Sequence, residues 1–265
     1  MTKESRQKMI VDLVVQHGSI QVTELAKLCN VSLVTIRKDL AELEKMNKLY
    51  RNNCKAIVMN PYVNNRNVFE KEKLYSEEQR IIGEYAATLV EPGDSIAIAS
   101  GTSVHALARA IQQTEGLTVV TSSLEVSTIL AQKDSIDIIQ LGGVLRHSSH
   151  SVVGKFAEQA LSEFLCNKFF MGVDGIDLEL GLTTTNIMEA SLNRVMMNTA
   201  QKTIVLADSS KFGKMGFSKI TDIDNVDQII TDSHIKPQTA SAIEDLGIKL
   251  TIVDVSGENV VTSLD

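Results

Sequence analysis

What this chain lacks narrows its role first. No run of about 18 apolar residues occurs along its 265 positions, so no segment reads as a membrane-spanning helix. There are only three cysteines (Cys29, Cys54 and Cys166), an odd number without C-x-x-C spacing. That pattern offers no zinc site and fits a reducing cytoplasm. Positive charge is short as well. The chain has 26 Lys+Arg against 33 Asp+Glu, net −7, which excludes a general polyanion binder. The start, Met1-Thr2-Lys3-Glu4-Ser5-Arg6, leads into a polar amphipathic segment and not a signal peptide, so a cytoplasmic location is expected.

The charge that is present is unevenly placed. Residues 1–60 hold ten Lys+Arg and six Asp+Glu, net +4, which leaves the remainder at −11. A small basic end on an acidic body suits a nucleic-acid module joined to something that should not touch nucleic acid. Within that end, Met9, Ile10, Leu13 and Val14 recur at helical spacing up to His17-Gly18. Ser19 to Val22 is short and β-prone. Leu25, Ala26, Leu28 and Cys29 mark a second helix, closed by Asn30, which tolerates a left-handed backbone. Ser32 is a good N-cap for a third helix.

On that third helix, 100° steps place Ile36, Leu40 and Leu43 on one inward face. Val34, Lys38, Ala41 and Lys45 fall opposite, flanked by Thr35 and Arg37. A small apolar side chain beside two cations suits a DNA major groove, with methyl contact from Val34 or Thr35 and base or phosphate contact from Arg37 and Lys38. A solvated amphipathic helix with a Lys38–Glu42 pair fits the same pattern, and the spacing leaves both readings open.

Three segments carry a family resemblance: Arg6; Gly18-x-Ile20-x-Val22-x-x-Leu25; and Val31-Ser32-x-x-Thr35-Ile36-Arg37-Lys38-Asp39-Leu40-x-x-Leu43-Glu44. Together they resemble the winged helix-turn-helix of the DeoR family of bacterial regulators. The resemblance implies DNA contacts from Ser32, Val34, Thr35, Arg37, Lys38, Lys45 and Arg51. It departs in the wing, where Asn47-Lys48-Leu49-Tyr50-Arg51-Asn52-Asn53-Cys54-Lys55-Ala56 lacks the family's Gly-Gly pair.

Residues 59–78 are polar and aperiodic and read as a linker, with Phe69 as an anchor. Beyond it, helical stripes alternate with short β-branched strands such as Ser95–Ala99, Leu117–Thr121, Ile136–Gln140, Phe169–Val173 and Thr203–Ala207. That alternation predicts a Rossmann-like α/β domain with a largely parallel sheet, whose ligands bind beyond the carboxyl ends of the strands.

Four loops at such ends carry chemistry. Ser100-Gly101-Thr102-Ser103 opens a helix and combines glycine, hydroxyls and helix N–H groups, which suits a phosphate. Gly142 and Gly143 allow close backbone approach, and Arg146 can grip an anion. Asp174 and Gly175, with Gly181 and Thr183, place an acid where sugar hydroxyls could donate to it. Asp208, Ser210 and Lys211 add an acid, a hydroxyl and an ammonium. Each loop taken singly also reads as an ordinary turn. Together they favour a phosphorylated sugar or polyol.

Residues from about 79 to 254 resemble the effector domain of the same family, which is similar to ribose-5-phosphate isomerase. That resemblance implies a sugar-phosphate site at the four loops and adds Glu189. An isomerase would also use a lysine in the Gly-rich stretch after the acidic loop, but Gly181-Leu182-Thr183-Thr184-Thr185-Asn186 holds no cation. His147 and His150 lack a third metal ligand. The expectation is a regulator, not an enzyme, with no cofactor and no metal. Residues 1–58 form the winged helix-turn-helix, 59–78 the linker, 79–255 the α/β effector domain and 256–265 a tail. Expected partners are operator DNA, a phosphorylated sugar or sugar alcohol, and a second copy in a homodimer or homotetramer. A constitutive regulator whose α/β domain only oligomerises stays open.

Overall fold

The computed structural model describes residues 2–17, 19–45, 49–52, 55–58, 76–112, 115–254 and 260–262. In the N-terminal module, α1 (Lys3–His17) is followed by β1 (Ser19–Gln21), α2 (Val22–Leu28) and α3 (Leu33–Lys45). β2 (Leu49–Asn52) and β3 (Lys55–Val58) then form an antiparallel hairpin, and β1 adds to its β3 edge. The wing therefore closes without a Gly-Gly pair. Asn52 lies opposite Lys55, so the connection is the two residues Asn53 and Cys54, which lie outside the described residues.

Local chemistry explains the turn. Asn30 adopts φ 51°, the left-handed conformation asparagine tolerates. Ser32 caps α3: its Oγ accepts from the Thr35 N–H at 3.2 Å. Ile36, Leu40 and Leu43 are buried and meet Ile10, Val14, Leu25 and Leu49 in a small core. α1 is fastened to α3 by charge. Arg6 donates to both oxygens of Asp39, from Nε at 2.6 Å and from Nη2 at 3.2 Å. That bidentate pairing raises the Arg6 pKa further above its usual value. Lys3 and Gln7 hold Glu42 in the same way, at 2.6 and 2.9 Å.

The expected linker 59–78 lies largely outside the described residues, Phe69 included. Its last three residues do not belong to a linker, because α4 (Ser76–Ala87) already begins there. The sheet behind it contains β4 (Ser95–Ile98), β5 (Leu117–Thr121), β6 (Ile136–Gln140), β9 (Cys166–Gly172), β12 (Ala200–Leu206), β14 (Gln228–Asp232) and β15 (Lys249–Val253). Its order is β15-β14-β12-β9-β4-β5-β6, all parallel. The expected tail contributes an antiparallel edge strand, β16 (Val260–Thr262), beside β15.

Both faces are covered, as a parallel sheet requires. On one side, α4, α5 (Thr102–Ala110) and α6 (Leu124–Leu130) bury Ile82, Leu107 and Val126 with Phe170. On the other, α7 (Lys155–Leu161), α8 (Ile187–Thr199) and α9 (Pro237–Asp245) bury Leu161, Met196 and Ile243 with Phe169. Two smaller units sit at the strand ends. One is the hairpin of β7 (Val144–Arg146) and β8 (Ser151–Val153). The other is the antiparallel sheet of β10 (Gly175–Asp177), β11 (Gly181–Thr184) and β13 (Ser218–Thr221).

Phe169 and Phe170 are both fully buried, one in each core. Truncating either to alanine is expected to destabilise the effector domain by about 3–5 kcal/mol. Denaturant titration checks this, and an unshifted midpoint would contradict the packing described.

Candidate functional site

The loops after β4, β9 and β12 converge on one polar cavity of about 620 Å³, its open mouth included. Its floor is the start of α5. Gly101, at φ 139°, turns the chain so that Thr102 opens the helix, and no side chain caps that end. The first-turn N–H groups of a helix have no intrahelical acceptor and favour an anion. Lys211 lines the cavity from a short 3-10 turn, Ser209–Lys211, which Asp208 caps by accepting from the Ser210 N–H at 3.1 Å. Lys211 Nζ lies 3.7 Å from Asp208 Oδ2, a buried oxygen with no hydrogen-bond donor among the described residues.

The other lining is hydroxyl and carboxylate. Asp174 Oδ2 accepts from the Thr184 hydroxyl at 3.1 Å and the Thr185 N–H at 3.0 Å. Glu189 sits in the first turn of α8, where Asn186 caps the helix by accepting from the Met188 and Glu189 N–H groups. Its Oε1 receives Arg146 Nη1 at 2.8 Å, and its Oε2 lies 3.3 Å from the same Thr184 hydroxyl. One hydroxyl proton thus stands between two carboxylates and serves only one at a time. Arg146 also donates to Ser149 Oγ at 3.1 Å within its own hairpin, while its bond to Glu189 joins the β7–β8 hairpin to α8.

Of the effector residues expected from sequence, Ser100, Gly101, Thr102, Ser103, Arg146, Asp174, Glu189 and Lys211 line this cavity. Gly142, Gly143, Gly175, Thr183, Asp208 and Ser210 do not, and most have visible structural work. A Cβ on Gly143 would lie 2.7 Å from the Val153 carbonyl oxygen, so its glycine lets the β7–β8 hairpin close. At Gly175 a Cβ would overlap the Lys214 carbonyl. The Thr183 hydroxyl donates to Gly175 O at 3.1 Å and accepts the Gly216 N–H at 2.7 Å, pinning the same crossing. Asp208 and Ser210 shape the turn that presents Lys211. Gly142 meets open space, and nothing in the structure explains it.

Sequence reasoning missed Ser148, Ser149, Val173, Thr184, Thr185 and Asn193, all of which line the cavity. Asn193 was within reach, since it lies one helical turn beyond Glu189 on the same face. His105 is fully buried, its Nε2 3.3 Å from Ser123 Oγ, and so packs rather than lining the cavity. Among the described residues no group of three His, Cys, Asp or Glu side chains could hold a metal ion.

On α3, Val34 is 61% exposed, Ser32, Arg37 and Lys38 are exposed, and Thr35 is half-buried beneath its hydrogen bond with Ser32. Lys45 ends the helix and Arg51 lies on β2, but their side chains lie outside the described residues.

A model of the DeoR-like helix-turn-helix domain matches residues 6–61, and a model of the DeoR C-terminal sensor domain matches residues 75–233. The chain belongs to the DeoR family. This DeoR-family chain is 35% identical over 256 residues to the uncharacterized HTH-type transcriptional regulator YulB of Bacillus subtilis, covering 97% of this chain and 99% of that one. It is also 35% identical over 251 residues to a putative aga operon transcriptional repressor of Escherichia coli O157:H7, covering 94% and 93%. Among solved structures, the probable sor operon regulator of Shigella flexneri aligns with a TM-score of 0.43 at 16% identity, over 64% of this chain and 89% of that one. As a DeoR-family protein, the chain is a helix-turn-helix transcriptional regulator. Among the described residues no helix is long and apolar enough to cross a membrane.

Asn186→Ala is expected to cost about 1 kcal/mol by removing the α8 cap. It should also loosen Glu189, which that cap orients. Thermal unfolding reads the first effect, and an unchanged melting temperature would show that the cap contributes nothing.

Proposed function

We propose that this DeoR-family regulator is a repressor of a carbohydrate-utilisation operon, released from its operator by a phosphorylated sugar or sugar alcohol. The carrying observation is the cavity itself. An uncapped helix start and Lys211 line it, together with Asp174, Glu189, Asn193 and two serines. The first set suits a phosphate and the second a row of hydroxyls. A relative named as a lactose phosphotransferase system repressor supports the same class of regulated genes. Release requires the ligand to favour the state that binds DNA less well.

The DNA contacts are assigned to Ser32, Val34, Thr35, Arg37 and Lys38, with Lys45 and Arg51 as further backbone contacts. Two helix-turn-helix modules reading two half-sites require a second copy, so the working form is a homodimer or homotetramer. Exposed Phe156 and Ile187, with Met188 beside Gly154, offer the α/β domain an apolar face for that contact. The protein acts in the cytoplasm, where operator and effector meet.

An isomerase reading draws on Asp174 and Glu189, both placed to move protons. Against it, the 181–186 stretch lacks the lysine that ribose-5-phosphate isomerases carry there, so we assign sensing without turnover. Steady conversion of a pentose or hexose phosphate by the purified protein would overturn that assignment.

A melting-temperature screen with glucose 6-phosphate, fructose 6-phosphate, ribose 5-phosphate and glycerol 3-phosphate tests the sensor reading. A rise with one or more of them is expected. A flat response throughout would favour a constitutive regulator whose α/β domain only oligomerises. Lys211→Ala should weaken binding of the responding compound about tenfold or more and leave operator affinity intact. Arg37→Ala should do the reverse, weakening a gel shift about tenfold or more without touching ligand affinity. An unchanged shift would remove Arg37 from the DNA face.

A further inference from the structure

α4, Ser76–Ala87, is the first described element after the DNA-binding module. Its neighbours include elements that carry cavity loops. It lies against α5, which opens at Thr102, against β12, which runs into the Asp208–Lys211 turn, and against β14, which ends at Asp232. The contact with α5 leaves no slack, since a Cβ on Gly83 would overlap the Ala106 backbone.

Two paths lead from the cavity to the first turn of this helix. On one side, Thr102 lines the cavity and also the groove between α4 and α5, which Gln79 lines from α4. Both residues are buried. On the other side stands Asp232, a fully buried carboxylate that neither the DNA face nor the cavity lining uses. Its Oδ2 accepts the Ser209 N–H at 2.6 Å, which fixes the turn bearing Lys211. Its Oδ1 accepts the His234 N–H at 2.9 Å. His234 Nδ1 lies 3.2 Å from that oxygen and 3.9 Å from Glu78 Oε1 on α4.

We propose that the first turn of α4 is the relay through which occupation of the cavity reaches the DNA-binding module, with Asp232 as the residue that ties the Lys211 turn to it. The proposal rests on the reading of the cavity as an anion-binding effector site. An anion that draws Lys211 and the start of α5 together acts on α4 from both sides, through Asp232–His234–Glu78 and through Thr102–Gln79. α4 is covalently continuous with the segment leading back to the DNA-binding module. The relay works only if α4 responds to what the loops bind.

Hydrogen exchange on the full chain, with inorganic phosphate as the probe, tests this. Phosphate is expected to slow exchange in peptides covering 100–103 and 208–211. It should also slow the 76–87 peptide by about fivefold, the lower end of ordinary coupling between sites. In Asp232→Asn the 100–103 peptide should still respond, while the 76–87 peptide keeps only the part of its response that the Thr102–Gln79 side carries. Glu78→Gln, a change at a half-buried helix position, tests the same path if Asp232→Asn fails to fold. Slowing at both loops with none in 76–87 overturns the relay. A full α4 response in both variants removes Asp232 and Glu78 from it. Slowing at neither loop overturns the anion-binding reading itself, and the relay falls with it.

Discussion

The middle of β9, Phe169–Met171, is buried from both sides, and the effector domain is organised around that fact. Phe169 faces one core and Phe170 the other, while β12 and β4 pair with its two edges. A strand enclosed in this way cannot present chemistry along its length. Parallel neighbours deliver their loops to the same end, so polar groups collect beyond Gly172. Ser100–Ser103, Asp174 and Lys211 are far apart in sequence, yet they converge because β4, β9 and β12 are adjacent and point the same way.

The cavity is built from mutually dependent polar contacts rather than isolated ligands. Arg146 binds Glu189, Glu189 shares the Thr184 hydroxyl with Asp174, and Asp174 also takes the Thr185 N–H. Such a network holds side chains in place before a ligand arrives, which lowers the ordering cost of binding. It also links three separate units: the β7–β8 hairpin, the small β10-β11-β13 sheet and α8. A ligand that competes for any one of these hydrogen bonds changes the balance among all three.

Local signals were the legible ones. The Ile36, Leu40 and Leu43 stripe, the left-handed Asn30 and the Ser32 cap depend on residues within a few positions, and the structure agrees with each. The alternation of strands and helices was legible for the same reason. Gly143, Gly175 and Thr183 stand outside the cavity lining because each serves a backbone crossing invisible in a linear pattern. Ser148 and Ser149 escaped because the hairpin that carries them has strands of only three residues, too short for a period to register. β16 hid in the supposed tail for the same reason.

The Arg6–Asp39 clasp has a consequence beyond holding two helices together. Asp39 and Glu42 are moored to α1 by Arg6, Lys3 and Gln7, while Arg37 and Lys38 stand exposed. α3 thereby commits Asp39 to α1 and leaves Arg37 and Lys38 at the surface. A protein of net charge −7 is then repelled by a polyanion from most directions and welcomed along one edge.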